Sequence, residues 1–119
     1  MKAHGILQLT WRQNTLYAEA FGPFNEEGVI EASKNYLDAL GKPPSATFSV
    51  IEVWDENSMT SPDALRNVGR LWSVLANYGC CSFALIVSNK LQESVAQPYL
   101  PETGKIFNNL DDAELWLKR

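Results

Sequence analysis

The chain opens on two short segments in which apolar and polar residues alternate. Leu7, Leu9 and Trp11 are separated by Gln8 and Thr10, and Leu16, Ala18 and Ala20 by Tyr17 and Glu19. A period of two predicts strands with one buried and one wetter face, here over residues 5–11 and 15–21. Placing both apolar sets on one face requires an even-length turn, either Gln13-Asn14 or the four residues 12–15. A three-residue loop would put Glu19 on the apolar side. The opposite face then carries Gln8, Thr10, Tyr17, Glu19 and Phe21, and is expected to be only partly covered.

The period then changes. After Gly22-Pro23, Asn25 can cap a helix whose first turn holds Glu26 and Glu27. Val29, Ile30, Ala32, Tyr36, Leu37 and Leu40 recur at helical spacing, and Gly41 with Pro43-Pro44 ends the run. Residues 47–54 are β-branched and aromatic apart from Glu52, and predict a third strand. Ser61-Pro62-Asp63 is a strong helix start: a hydroxyl cap, a proline at the first helical position, then an acid. Leu65, Val68, Trp72 and Leu75 form that helix's buried stripe, and Gly79 is expected to close it. Residues 83–87 are nearly all apolar, as in a strand covered on both faces. A short helix over 91–97, a short strand over 105–107 and a last helix over 111–118, capped by Asn108 or Asn109, complete the chain. The predicted order is β-β-α-β-α-β-α-β-α. It describes one mixed α/β domain over residues 1–119, with a mostly parallel sheet, an N-terminal antiparallel hairpin and the first strand at an edge.

Composition narrows the partners. The chain has 119 residues, 45% apolar and 20% charged, with a formal net charge of −4. An acidic chain with ten scattered Lys and Arg lacks the basic face that nucleic acid or an anionic membrane requires. No apolar run is long enough to span a bilayer, and the first residues do not read as a secretory leader. Cys80 and Cys81 are adjacent and give no disulfide framework, which fits a reducing, cytoplasmic compartment.

The element order, with its hairpin start, resembles the STAS-like fold of the anti-sigma-factor antagonists and a looser set of bacterial, SpoIIAA-like proteins, a group compared with the lipid-carrying CRAL-TRIO domains. The most specific piece is the C-terminal segment Lys105-Ile106-Phe107-Asn108-Asn109-Leu110-Asp111-Asp112-Ala113-Glu114-Leu115-Trp116-Leu117. The resemblance implies a binding or regulatory domain rather than an enzyme, with no cofactor. Its ligand would be a protein partner or a small molecule; the alternative it implies is a carrier of a lipid-like or apolar molecule. Tyr17, Phe21, Phe24, Trp54 and Tyr99 motivate that alternative. In the signalling members a phosphorylatable serine sits where the loop after the third strand meets the next helix. The matching stretch, Asp55-Glu56-Asn57-Ser58-Met59-Thr60-Ser61-Pro62, lacks their Asp-Ser-Ser-Gly-like run. It is acidic, and no Arg or Lys between Asp55 and Asp63 could hold a phosphate, so no phospho-switch is expected there.

Ligands of open α/β sheets gather beyond the carboxyl ends of the parallel strands. Asp55, Ser58, Thr60, Ser61, Ser88, Asn89 and Asn108 lie there and are the candidate ligand or partner surface, although turns favour the same residue types. Glu52 is expected on the open face, beside Glu19. Were it buried, its pKa would rise and it would become a candidate general acid or ligand contact. An enzyme built on Glu52 or Asp55 lacks a complete constellation. His4 reads as a surface residue, and no metal site or phosphate loop is expected. Both cysteines are expected to be buried, small and unreactive.

Overall fold

The computed structural model describes residues 2–119. Its strands are β1 (Ile6–Arg12), β2 (Thr15–Phe21), β3 (Phe48–Trp54), β4 (Cys80–Ile86) and β5 (Gly104–Phe107). Its helices are α1 (Glu26–Leu40), α2 (Pro62–Ser73), α3 (Lys90–Ala96) and α4 (Leu110–Leu117). The five strands stand in sequence order in one sheet, with β1 antiparallel to β2 and the remaining pairs parallel. The expected α/β architecture is therefore the observed one, edge strand included.

The hairpin follows from its alternation. Arg12 pairs with Thr15 and Trp11 with Leu16, leaving Gln13-Asn14 as the two-residue turn. Gln13 takes φ +54°, a conformation hairpin turns of this length commonly demand. Leu16, Ala18 and Ala20 are buried, while Gln8 and Thr10 are exposed on the other side.

Strands in sequential order, joined by crossovers of one hand, carry all their connecting helices on one face. Residues of α1, α2 and α3 accordingly share a core with Leu16, Val50, Trp54, Phe83 and Leu85. The last helix does not return to the sheet, and α4 closes the opposite face, where Ala113 packs with Ile51, Ala84 and Ile86. Tyr17 on that face donates to the Glu114 carboxylate of α4 at 2.8 Å.

Caps fix the helix starts. Asn25, Ser61, Asn89 and Asn109 each accept a first-turn backbone N–H. The Asn25 side chain also accepts from the His4 backbone N–H, tying the N-terminal segment to α1. Ser61 Oγ accepts from the Ala64 N–H at 3.2 Å. Ser61→Ala is expected to destabilise the domain by about 1 kcal/mol in urea denaturation; an unchanged midpoint would show that the cap is idle.

Two boundaries differ from expectation. The α2 helix ends at Ser73 and passes into a 3-10 turn, Leu75–Tyr78, before Gly79 closes the run at φ +110°. The β4 strand starts at Cys80, where the register slips: Phe48 pairs with Cys80 but Ser49 pairs with Ser82. Cys81 is the extra residue of this irregularity. An unpaired bulge residue breaks the alternation, so Cys80 is buried while Cys81 is exposed.

Candidate functional site

The helix-covered face holds an unusual residue for its position. In β3, alternation puts Phe48, Val50, Glu52 and Trp54 on one side, and all four are buried. Glu52 pairs in register with Ala18 of β2, whereas Glu19 pairs with Val53. The two acids therefore lie on opposite faces. Glu52 is not on the open face beside Glu19; it is 5% exposed, beneath α1 and α2.

Neighbouring elements supply donors to this carboxylate. The buried stripe of α1 runs Val29, Tyr36, Leu40, and Tyr36 Oη donates to Glu52 Oε1 at 2.9 Å. The α2 stripe ends in Leu71 and Trp72, and Trp72 Nε1 donates to the same oxygen at 3.0 Å. Trp54 Nε1, from β3 itself, donates to Oε2 at 2.7 Å. The Trp54 and Trp72 rings stack with centroids 5.8 Å apart, and Trp72 also packs against Phe83 at 5.1 Å.

Burial pushes the Glu52 carboxyl above its ordinary range, and the bonds from Trp54, Trp72 and Tyr36 only partly oppose that. Burial and the adjacent Glu52 carboxylate raise the Tyr36 phenol well above its usual value. A raised carboxyl pKa means that the folded protein retains a proton which the unfolded chain releases. The stability from this group is therefore full below the ordinary carboxyl value of about 4.3 and is lost as pH rises through the raised folded value. Urea denaturation of the wild type and Glu52→Gln from pH 4 to 7 is expected to show a stability difference, wild type minus variant, that falls with rising pH. A difference that grows with pH would contradict the assigned direction.

Beside the carboxylate is a partly open cavity of about 80 Å³. Its deep wall is Ala20, Tyr36, Glu52, Trp54 and Trp72, and its half-buried rim includes Phe24, Ala32, Met59, Thr60, Leu65 and Val68. It sits over the carboxyl halves of β2 and β3, where ligands of such sheets gather. Thr60 lines it and keeps a buried Oγ1 with no hydrogen-bond partner among the described residues.

The expected surface residues divide into four groups. Ser58 and Thr60 line the cavity. Asp55 and Ser88 build the loops behind it. Asp55 Oδ1 accepts from the Gly22 N–H, the Asn57 N–H and Ser58 Oγ, and Ser88 Oγ donates to the Trp54 carbonyl. Ser61 and Asn89 are spent as helix caps. Asn108 is exposed, accepts from Asn109 Nδ2 and does not line the cavity.

Sequence reasoning missed Tyr36, Trp72 and Gln92. Gln92 is completely buried and stitches the loops together: its Oε1 accepts from the Ser88 N–H, and its Nε2 donates to the carbonyls of Asp55 and Ser58. Of the aromatics noted for an apolar ligand, Phe24 and Trp54 line the cavity. Tyr17 lies on the opposite face, Phe21 is exposed and Tyr99 packs against Gly69.

The cysteines also part ways. Burial pushes the Cys80 thiol up to about 11. Cys81 is exposed, with Sγ directed to the Phe48 carbonyl at 3.2 Å. Contrary to the expectation of two buried thiols, a thiol reagent is expected to label Cys81 in the native protein and Cys80 only after unfolding. Equal native labelling of both would contradict the burial difference.

No family model and no curated protein matches the chain. Among solved structures it is similar to an uncharacterized protein of the DUF3478 family with a SpoIIAA-like fold, from Shewanella loihica PV-4. The identity is 20%, over 98% of this chain and 96% of that one, with a TM-score of 0.65. The SpoIIAA-like, STAS-like fold suggested by the hairpin start and the C-terminal segment is thus the fold of this chain.

Proposed function

We propose that this chain is a non-enzymatic binding domain that takes a small, largely apolar ligand into the cavity beside Glu52. The observation that carries the reading is the cavity itself: apolar walls and a buried carboxylate held by Tyr36, Trp54 and Trp72. Pockets of this make-up, mostly apolar with a few convergent polar groups, are the usual form of small-molecule sites. Its size argues against enclosing a lipid. An apolar cavity of about 150 Å³ accepts benzene, and sites for larger ligands span roughly 300–1,000 Å³. About 80 Å³ suits a small molecule, or the buried end of one that protrudes. In this reading Ser58 and Thr60 face the ligand, Asp55, Ser61, Ser88 and Asn89 hold the loops, and Asn108 takes no part. The unpaired thiols of Cys80 and Cys81 support a cytoplasmic setting.

The test pairs native mass spectrometry of freshly purified protein with an NMR screen of small apolar fragments. A retained small-molecule mass is expected, and fragments that bind are expected to move the indole N–H signals of Trp54 and Trp72. Trp116, on the opposite face, serves as the control. No retained mass, together with fragments that leave both indoles unmoved, would overturn the reading.

A further inference from the structure

We infer that the ligand's polar end is a protonated amine, with Glu52 as its counter-ion. This rests on the cavity being a small-ligand site and goes on to name the ligand's class. Three independent features of the cavity wall point the same way.

The first is charge. Among the described residues that line the cavity, Glu52 is the one carboxylate and none is Lys, Arg or His. An anionic ligand would therefore meet a buried acid with no cation to offset it. A cation would supply the opposite charge that the carboxylate otherwise lacks, and attraction is strong where water is excluded.

The second is hydrogen-bonding capacity. A carboxylate offers about four acceptor positions. Tyr36 and Trp72 both use Oε1, and Trp54 alone uses Oε2. Oε2 thus keeps capacity for one more donor. Indole N–H groups donate and never accept, so Trp54 and Trp72 hold the two oxygens in place and cannot turn to satisfy a ligand acceptor.

The third is the aromatic wall. Phe24, Tyr36, Trp54 and Trp72 all line the cavity. Aromatic walls around an acid are the environment in which ammonium groups are recognised, because ring electrons attract a cation stripped of water. A volume of about 80 Å³ admits an ammonium head with a few carbons, and the partly open mouth lets a short tail run outward.

The test uses three four-carbon probes that differ chiefly in charge: butylammonium, 1-butanol and butyrate. Each is titrated into the wild-type protein at pH 7, with the Trp54 and Trp72 indole N–H signals followed by NMR. Butylammonium is expected to bind about tenfold more tightly than 1-butanol, and butyrate is expected to give no saturable shift. In Glu52→Gln the preference for butylammonium over the alcohol is expected to shrink to about twofold or less. If 1-butanol or butyrate matches butylammonium on the wild type, the cation assignment falls while the small-ligand cavity stands. If none of the probes moves either indole, the cation assignment falls, and the small-ligand reading falls with it when native mass spectrometry also finds no retained mass. The wild-type series decides the question even if the variant folds poorly.

Discussion

Glu52→Leu is expected to destabilise the domain by on the order of 3–5 kcal/mol, and Glu52→Gln by roughly 1–2 kcal/mol. Leucine nearly fills the same space but accepts no hydrogen bond. It leaves the Tyr36 hydroxyl and the Trp54 and Trp72 indoles buried without the acceptor they share. Each stranded donor costs about 1–3 kcal/mol, and relief from burying the acid offsets part of the sum. Glutamine keeps one accepting oxygen, which can serve Tyr36 and Trp72. Its amide group then confronts the Trp54 indole donor to donor. Against a total stability of roughly 5–15 kcal/mol for a domain, the leucine variant would stand near the edge of folding. Urea denaturation at pH 7 measures both. Replacing a whole buried polar cluster with apolar groups can be neutral or stabilising; here one partner goes and three donors remain. A leucine variant as stable as the wild type would show that those donors find other acceptors, and would end the view of Glu52 as the keystone of this wall.

Much of the fold was legible because local rules agreed with one another. Alternation in Leu7–Leu9–Trp11 and Leu16–Ala18–Ala20 admitted only an even turn, and Gln13-Asn14 is that turn. Asn25 and Ser61 announced helix starts and are the caps, and Asn109 resolves the choice at the last helix. The site was harder to read because its parts come from separate elements. Tyr36 and Trp72 look like ordinary members of apolar stripes, and nothing local says that their polar tips converge on one residue. A signal was nevertheless present. Glu52 shares parity with Val50 and Trp54, and sequential strands with crossovers of one hand put α1 and α2 over that same face. Taken together, these place an acid under two stripes, each carrying an aromatic hydrogen-bond donor. The burial of Cys81 was misjudged for a different reason. The irregular pairing at Phe48 shifts the parity of β4, and a bulge leaves no mark in a run as short as Cys80-Cys81-Ser82.

Gln92 left no mark either: a polar residue in the first turn of a short helix reads as solvated. Its burial gives the second large effect, a loss of roughly 2–4 kcal/mol for Gln92→Leu. The substitution keeps the approximate volume and removes every polar contact. The Ser88 N–H loses its acceptor at 2.8 Å, and the Asp55 and Ser58 carbonyls lose their donor at 2.7 and 3.2 Å. Those contacts join the loop after β3 to the start of α3, so the damage reaches the cavity rim. Ser58 Oγ bonds the Ala20 carbonyl, and the Phe24 N–H bonds the Met59 carbonyl. Both depend on where the loop lies. Amide exchange at Ser58 and Phe24 is therefore expected to quicken in the variant by more than the global loss of stability requires, while Ile51 and Ala84 in the central strands follow the global change. Gln92→Glu is expected to do no better. One of its oxygens can still accept from Ser88, but the other faces two carbonyls and has no proton to offer them once ionised. If Gln92→Leu keeps wild-type stability and unchanged exchange at Phe24 and Ser58, the rim is held by the backbone alone, and Gln92 is not what fixes the cavity's shape.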